Sequence, residues 1–577
     1  MCGICGIVTK KLNNDYSVLV KEGLNEIKHR GPDDVIVFQD EHIAFGYVRL
    51  AIRGEINPQF NQPIITKDIV AFGNGEVYLK NDKEVDTNKN DLLPLVEELV
   101  TKEENIYKNI DADFAISCYD KENKIFYLAR DFFGVKPLYI AWIDGETLAF
   151  ASEIKALKKI MKNKLQVNKN TILDYLIFGY QLENNTFYNN IFTVSPGSVF
   201  KWDLKNDKKV TKNYVDEMLE LKYTNSENNK SIYQEINKSI LARLQSDQKL
   251  GFHLSGGMDS SLIVYLSHQK MAQKECFTAY REQDDNDLIY SKKICNKLKC
   301  KQHIIKMEKQ NNYNELIKIL DTPIMSTGDF VPLKIAEAGY REKVKVLLEG
   351  QGADELFLGY SRFKEINNTM NLNDVVSILN NSEISLLQKL FKLDVSVKEI
   401  NNVYIRMLEK GENNIEKAQR FYIRNFLQEL LRIEDHVHMN YSIENRVPFL
   451  SLYIRNWLNN NELVINQNSN KMAEYNVHKE INSILVKRKK KENLNGSLND
   501  ELIEILKEYK QIINENKIFE QFDYEIMNEL LTEEKIKQMS KKEAFLLWHI
   551  YNLCIWYREN SYTQKININK LIKERMK

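Results

Sequence analysis

Long apolar runs are missing from this chain of 577 residues. No stretch approaches the roughly 18 consecutive apolar residues that a membrane-spanning helix requires. The amino-terminal residues also lack the charged and apolar regions of a signal peptide. We therefore expect a protein without a membrane segment that resides in the cytoplasm.

Net charge is missing as well, because 81 basic residues balance 81 acidic ones. This balance argues against a general attraction to nucleic acid or to anionic lipid. Glycine and proline are scarce, at 22 and 9 residues, which excludes a low-complexity chain. The length exceeds what one hydrophobic core serves, so we expect two or three domains.

Cysteine is sparse, with seven residues in the chain, which suits a reducing compartment. Cys2 and Cys5 match a C-x-x-C pattern, but a zinc site would need a second close pair. Cys295 and Cys300 form the only candidate pair, in a predicted helix. A redox motif normally follows a strand and opens a helix, whereas Cys2 starts a strand. We therefore expect neither a metal nor a redox role for these cysteines.

Cys2 has a chemical property that no internal cysteine shares. Removal of Met1 would leave its thiol and the α-amine on one carbon, and an α-amine titrates near about 7.7–8.0. The amine can take the thiol proton directly or through one water, as in other amino-terminal nucleophiles. The alternative is a buried cysteine at the head of the apolar strand Gly3–Val8. The rest of the chain has to decide between them.

The first two hundred residues are rich in predicted strands. Short apolar runs between turns predict strands at Gly3–Val8, Ile43–Val48, Ile69–Phe72, Phe114–Cys118, Ile125–Ala129 and Leu148–Ala151. One helix is predicted from about Ser17 to Lys28, where His29-Arg30-Gly31-Pro32 ends it. These elements indicate a layered antiparallel domain. The polar stretch Asp203–Ser226 then predicts a linker or loop boundary.

The second half has helices and a few buried strands. Leu250–Leu254 and Val344–Leu348 are continuous apolar runs typical of parallel strands. The final two hundred residues read as almost entirely helical. The pattern therefore predicts an α/β unit with a helical carboxy-terminal region.

A glycine-rich loop follows the first of these buried strands and opens a helix. In His253–Ser261 the glycines allow backbone N–H groups to face an anion, and the helix amino terminus adds positive charge. Ser255 and Ser260 can donate hydrogen bonds. Asp259 would face a phosphate only across a cation, which implies Mg²⁺. The G-x-x-x-x-G-K pattern of a Walker A loop is absent, and the alternative is a simple Ser/Gly helix cap.

The second buried strand delivers the segment Glu349–Phe357. Ligands bind beyond the carboxyl ends of parallel strands, so Asp354 is expected to meet Asp259 at one metal–triphosphate site. The basic run Lys487–Lys491 offers cations that would neutralise a leaving pyrophosphate. Its alternative interpretation is a solvated basic surface.

Together these features resemble the glutamine-hydrolysing asparagine synthetase family over nearly the whole chain. The matching motifs are Cys2, 29–33 (HRGPD), 49–52 (RLAI), 74–78 (NGEVY), 130–139 (RDFFGVKPLY), 150–157 (FASEIKAL), the loop at Ser255–Ser260, 350–355 (GQGADE) and 444–450 (ENRVPFL). The resemblance implies an α+β amino-terminal domain over residues 1–205, a class II glutamine amidotransferase domain with the Ntn-hydrolase-type αββα sandwich. It implies an α/β ATP-pyrophosphatase-type domain over residues 206–577, with a parallel sheet, a pyrophosphate loop and a helical end.

For the first domain, the resemblance implies that Cys2 attacks the side-chain amide of glutamine and releases ammonia. Asn74 and the N–H of Gly75 suit an oxyanion hole.

The implied glutamine-binding residues surround this nucleophile. Arg49 would hold the α-carboxylate and Glu76 the ammonium group, with Ile52 beside them. The family also uses an aspartate, and counting back from the next strand places it at Asp91, with Asn90 as the alternative.

For the second domain, the resemblance implies ATP-dependent adenylation of a carboxylate, with Mg²⁺, and displacement of AMP by ammonia that arrives through an internal tunnel. The implied ATP-binding residues are Leu254, Ser255, Gly256, Gly257, Asp259, Ser260, Ala279, Glu349, Gly350 and Lys490. The implied metal ligands are Asp259 and Asp354.

The chain departs from the family pattern in this second half. Where the family has Ser-Gly-Glu-Gly, this chain has Glu349-Gly350-Gln351-Gly352. The family glutamate belongs to the catalytic machinery, and Gln351 in its place cannot act as a base. His438 stands where serine is usual, and Asn445 and Ser451 also differ.

We therefore expect a glutamine-hydrolysing ligase whose default acceptor is aspartate. The alternative acceptor is another carboxylate, on a peptide, a cell-wall precursor, a sugar acid or a secondary metabolite. A tRNA-modifying or nucleic-acid-binding protein is the alternative of another class, and the balanced charge argues against it. The expected partners are small molecules, with neither nucleic acid nor membrane, and the family suggests a homodimer.

Overall fold

Antiparallel sheets form the amino-terminal part of the protein. The computed structural model describes residues 2–576 except 12–13, 55–61, 86–89, 163–164, 225–230, 269, 272, 308–311, 370, 409 and 465–496. The strands here are β1 (Cys2–Thr9), β2 (Asp34–Gln39), β3 (Ile43–Arg49), β4 (Ile64–Ile65), β5 (Ile69–Lys80), β6 (Lys83–Glu84), β7 (Ile110–Asp120), β8 (Ile125–Arg130), β9 (Tyr139–Asp144), β10 (Thr147–Ala151), β11 (Ile191–Thr193), β12 (Ser198–Asp203) and β13 (Lys208–Asn213). One sheet has the order β11-β9-β10-β1-β3-β2, and the other has the order β13-β12-β8-β7-β5-β4 with β6 on β5.

Apolar side chains from both sheets pack face to face. Phe45 and Phe150 of the first sheet meet Phe72 and Phe126 of the second in one buried cluster. Helices α1 (Ser17–Glu26) and α4 (Ile154–Met161) cover the first sheet, and α2 (Leu93–Thr101) and α3 (Asn105–Lys108) lie on the second. The layers are therefore helix, sheet, sheet and helix, which confirms the predicted αββα sandwich.

The predicted strands of this part are all confirmed, and the predicted helix ends as α1 followed by a 3₁₀ turn at Lys28–Arg30. The prediction of a linker from Asp203 onward is wrong for Lys208–Asn213. These residues form β13, an exposed edge strand paired with β12. Lysines on an edge strand prevent further strand pairing, so the sequence looks like a solvated loop. The predicted division at 205/206 falls in the turn of this hairpin and stays a prediction.

A parallel sheet organises the second half, as predicted. Its order is β17-β16-β15-β18-β19, and every pair is parallel. The remaining strands are β14 (Lys222–Thr224), β15 (Leu250–His253), β16 (Glu275–Tyr280), β17 (Lys301–Lys306), β18 (Val346–Leu348), β19 (Glu444–Arg446) and β20 (Glu462–Val464), with β14 and β20 forming a separate parallel pair.

Helices account for most of the rest, which confirms the helical carboxy-terminal region. They are α5 (Lys169–Phe178), α6 (Val215–Met218), α7 (Tyr233–Arg243), α8 (Met258–Ser267), α9 (Asn286–Leu298), α10 (Tyr313–Leu320), α11 (Phe330–Arg341), α12 (Ala353–Leu356), α13 (Ser361–Asn367), α14 (Leu372–Leu379), α15 (Ile384–Leu390), α16 (Val397–Ile405), α17 (Asn414–Phe421), α18 (Leu427–Asn440), α19 (Leu452–Asn460), α20 (Leu498–Glu504), α21 (Leu506–Asn516), α22 (Tyr524–Leu530), α23 (Glu533–Gln538), α24 (Lys541–Glu559) and α25 (Ile568–Met576).

The two halves share one hydrophobic core, since a single cluster of buried side chains runs from Cys5 to Ile572. Within the described part of the chain, none of the helices has the length and apolar character needed to cross a bilayer.

Candidate active sites

Cys2 begins β1 and lies opposite Arg49 of β3 in the antiparallel ladder. Its backbone N–H donates to Oδ1 of Asn74 at 2.9 Å. Burial raises the pKa of the Cys2 thiol, whereas a backbone hydrogen bond from Leu50 and the charge of Arg49 lower it. The structure therefore brings the predicted nucleophile together with Arg49 and Asn74.

Asn74 and Gly75 lie side by side on β5. The Oδ1 atom of Asn74 accepts from Cys2, while its buried Nδ2 has no hydrogen-bond partner among the described residues. A Cβ atom at Gly75 would lie 2.3 Å from the carbonyl oxygen of Asp113, so only glycine fits there. An amide donor beside Cys2 is thus left free for a bound molecule.

Glu76 and Asp91 are two acidic groups that act on each other, and Asp91 also acts on the Cys2 thiol. Arg53, which the sequence analysis missed, contacts Glu76 through Nε at 2.5 Å. Burial raises the pKa of Glu76 to about 7, against the attraction of Arg53 and with the repulsion of Asp91. Burial also raises the pKa of Asp91, whose carboxylate accepts the Val77 N–H at 3.2 Å.

Asp91 acts on the Cys2 thiol electrostatically, whereas the side chain of the alternative, Asn90, accepts the Leu92 N–H at 3.0 Å. Ile52 is buried beside the Arg49 strand. The predicted glutamine-site residues therefore gather where β1 begins and β3 ends, near the middle of β5.

Arg30 connects this end to the second half of the chain. Its fully buried guanidinium donates to the Cys2 carbonyl at 3.2 Å and to Glu153 at 2.8 Å. It also forms a two-point pair with Asp435 of α18, at 2.6 and 3.0 Å. Charge-assisted pairs of this geometry are strong and directional. The backbone of Cys2 is therefore tied to α18.

The predicted phosphate loop lies between β15 and α8. Gly256 has φ +65°, and a Cβ there would lie 2.6 Å from the Ser291 nitrogen, so the turn requires glycine. The hydroxyls of Ser255 and Ser260 lie 3.1 Å apart, and Gly257 precedes the first residue of α8. Glycine backbone, two hydroxyls and a helix amino terminus therefore converge, as an anion site requires.

The segment after β18 packs against this loop. A Cβ at Gly350 would lie 3.1 Å from Cβ of Asp259, so the two loops touch. Asp259 lies in the first turn of α8 and Asp354 in the first turn of α12, and both are half-buried. Gln351 is also half-buried in this turn.

Two other predicted ATP-binding residues lie beside this loop. The N–H of Leu254, directly after β15, donates to the Phe277 carbonyl at 2.9 Å, and Ala279 is buried on β16 two residues beyond Phe277. Lys490 lies outside the described residues, so the structure does not bear on that prediction.

Glu349 lies in a buried polar cluster. Its Oε1 lies 3.2 Å from Nε2 of His438 and 3.8 Å from Nδ1 of His253. Side-chain atoms of Glu349, Glu434 and His438 all lie within 4.8 Å of one another. Burial raises the pKa of Glu349 to about 7, and burial together with the charge of Glu349 raises the pKa of Glu434. Sequence reasoning marked Glu349 and His438 as departures but missed their contact and Glu434.

A cavity of about 350 Å³ opens beside this cluster. Its lining includes two acidic side chains, Glu434 and Asp329, and two basic side chains, Arg362 and Lys541. Burial raises the pKa of Asp329 to about 7. Aromatic side chains including Tyr360 complete the lining. Such a pocket can hold an organic molecule that carries charges of both signs.

Comparison with known proteins supplies family relationships. The family model described as asparagine synthase matches residues 231–558, and that described as glutamine amidotransferase domain matches residues 1–215. Glutamine-hydrolyzing asparagine synthetase 1 of Bacillus subtilis is 31% identical over 386 residues, which span 63% of this chain and 60% of that protein.

Two further relatives extend the comparison. Putative glutamine-hydrolyzing asparagine synthetase 1 of Methanocaldococcus jannaschii is 28% identical over 501 residues, or 78% of each chain. Amidase chyE of Penicillium rubens is 26% identical over 384 residues, which span 60% of this chain and 55% of that protein.

Proposed function

The chain belongs to the asparagine synthase family, and from that membership we infer that it transfers ammonia from glutamine to an ATP-activated carboxylate. We propose L-aspartate as the acceptor, which would give L-asparagine, AMP and diphosphate. One observation carries the proposal: a glutamine amidotransferase domain containing Cys2 and a loop at Ser255–Ser260 occur in one chain. A protein that only hydrolysed glutamine would not need the loop, and a protein that only activated a carboxylate would not need Cys2.

The first half-reaction uses Cys2 as nucleophile. With Met1 removed, its α-amine takes the thiol proton, and the thiolate attacks the side-chain amide carbon of glutamine. The free Nδ2 of Asn74 and the N–H of Gly75 stabilise the resulting oxyanion. Each such donor lowers the activation free energy by about 3 kcal/mol. Ammonia leaves with the proton from the amine, and water hydrolyses the thioester to glutamate. Arg49 holds the α-carboxylate, while Glu76 and Asp91 face the ammonium group.

The second half-reaction uses the loop at Ser255–Ser260. Its hydroxyls, its glycine N–H groups and the start of α8 hold the phosphates of ATP. The contact between Gly350 and Asp259 brings the Asp354 segment to the same loop. Two half-buried carboxylates provide the hard oxygen donors that Mg²⁺ prefers, so Asp259 and Asp354 fit as its ligands. When bound, the ion neutralises phosphate charge and makes diphosphate a better leaving group.

Ammonia has to pass between the two sites without being lost to solvent. One turn of helix α18 contacts both halves of the chain, because its Asp435 pairs with Arg30 beside Cys2 while its His438 faces Glu349. We propose an internal route along this helix.

A different carboxylate is the second candidate acceptor. Gln351 supplies no base, and the cavity of about 350 Å³ offers acids and bases to a larger polar acid. The relation to an amidase as well as to asparagine synthetases also leaves room for it.

The experiment that tests this proposal measures transfer of the amide nitrogen and formation of AMP in the same reaction. Purified protein receives glutamine labelled with ¹⁵N in the amide, ATP, Mg²⁺ and one carboxylate at a time, and mass spectrometry records labelled product and AMP. We expect labelled asparagine with aspartate. Label in another amide, with none in asparagine, would move the assignment to that acceptor. AMP formation that depends on tRNA, without glutamine hydrolysis, would overturn the proposal.

A further inference from the structure

Three cysteines from separate elements meet behind the parallel sheet. Cys276 lies on β16, Cys295 on α9, and Cys300 directly after that helix. Their sulfur atoms all lie within 4.8 Å of one another. The chain has only seven cysteines, so three sulfurs at one point need an explanation.

Local geometry brings them together. Lys299 ends α9 with φ +52°, and the Cys300 N–H returns to the Cys295 carbonyl at 3.0 Å. This turn sets Cys300 beside Cys295 and starts β17, whose pairing with β16 aligns Lys301 with Glu275. Because α9 packs on β16, Cys295 faces Cys276. From the sequence, Cys295 and Cys300 are only a candidate second pair for Cys2 and Cys5, and the cysteines are predicted to have no metal role.

The surroundings of the cluster carry positive charge. Lys274 is 1% exposed, and its ammonium donates to the Met271 carbonyl at 2.9 Å and lies 2.8 Å from Nδ1 of His268. None of the ion pairs found in the described ranges gives Lys274 a carboxylate partner. A buried ammonium requires a nearby anion, and the cysteine sulfurs are the candidates.

The positive charge of Lys274 acts on two of the sulfur atoms, those of Cys295 and Cys300. Thiolate, rather than thiol, is the form that binds metal.

We propose that Cys276, Cys295 and Cys300 form a thiolate site for one zinc ion, separate from both active sites. Three thiolates match the sulfur-rich ligand sets of zinc, and water would occupy the fourth position on the side of partly exposed Cys300. Zinc binding releases to solvent the protons that the three thiols hold. The three thiolates and Zn²⁺ then carry one net negative charge, which Lys274 balances.

A disulfide explains the cluster less well than a metal. A disulfide joins two sulfurs and leaves the third without a role, whereas a metal uses all three. Cys276 and Cys295 are 0% and 3% exposed, so an oxidant in solution reaches only Cys300. The site would fasten α9 to β16, the strand that carries Ala279.

The test measures metal in the full-length chain. Protein expressed with added zinc and purified under reducing conditions is analysed by mass spectrometry of the elements, and we expect about one zinc per chain. Cys300→Ser, Cys276→Ser and Cys295→Ser should each lose most of it. Cys554→Ser removes a buried free thiol elsewhere and serves as the matched control, which should retain zinc.

A second measurement guards against variants that fail to fold. Zinc-free wild-type protein titrated with Co²⁺ should develop thiolate-to-cobalt charge-transfer absorption, and folded Cys300→Ser should show less of it. The proposal is overturned if wild-type protein holds no zinc and gives no such absorption. It is also overturned if folded Cys300→Ser binds as much zinc as wild type. A disulfide within the cluster of wild-type protein purified under reducing conditions would overturn it as well.

Discussion

Nε2 of His438 faces Oε1 of Glu349 at 3.2 Å inside the protein. Nδ1 of His438 donates to the Glu434 carbonyl at 2.7 Å, which leaves Nε2 with a lone pair. Burial lowers the pKa of His438 and raises that of Glu349 to about 7. A proton on Glu349 is therefore what turns two facing acceptors into a hydrogen bond.

This proton gives a pH prediction. The folded chain keeps it while an unfolded Glu349 would release it between pH 4.5 and about 7. The free energy of unfolding therefore decreases as pH rises through that window. Glu349→Gln cannot ionise, so we expect its decrease to be smaller than that of wild type, by about 3 kcal/mol over the whole window. Urea unfolding at several pH values measures this, with exposed Glu97→Gln as the control. Parallel curves for wild type and Glu349→Gln would contradict the assignment.

Cys2→Ala tests the separation of the two half-reactions. Glutamine-dependent product should fall by on the order of 10³-fold, because no other group replaces the nucleophile. Synthesis from added ammonium salt should persist. Product formation from each nitrogen source measures both. Cys5→Ala removes the neighbouring thiol, which is fully buried, and should retain glutamine hydrolysis. Loss of both activities in folded Cys2→Ala would refute separate sites.

Asp259→Asn tests the metal assignment at the loop. The amide removes one negative ligand, so AMP formation should drop by roughly 10²-fold or more while glutamine hydrolysis continues. Asp374 also lies in the first turn of a helix but is exposed, which makes Asp374→Asn a matched control. AMP release at the wild-type rate in Asp259→Asn would remove this residue from the metal site.

Asp435→Asn tests the connection between the sites. The change leaves the buried Arg30 guanidinium with Glu153 as its remaining carboxylate partner among the described residues, which should destabilise the fold by about 3 kcal/mol. Because Arg30 also holds the Cys2 carbonyl, we expect more glutamate formed per product amide. The ratio of glutamate to product amide measures this. The control is Asp394→Asn, which breaks an exposed ion pair with Lys573. An unchanged ratio would show that the pair is only structural.

Local patterns account for what the sequence analysis got right. The strand of Gly3–Val8, the turn at Gly256 and the helix that begins at Ser17 each depend on neighbouring residues, so composition and spacing reveal them. The error at Lys208–Asn213 has the same origin. An exposed edge strand contributes little to the core, and its lysines give the composition of a loop.

The sequence by itself determined the layered amino-terminal fold, the parallel sheet and the candidate positions Cys2, Asp259 and Asp354. The tertiary structure alone decided that Arg30 meets Asp435, that Glu349 meets His438, and that Cys276 joins Cys295 and Cys300. These contacts join residues from different elements of the fold. The periodicity of the sequence does not predict such a contact, because the contact depends on how helices such as α18 and α9 pack against the rest of the fold.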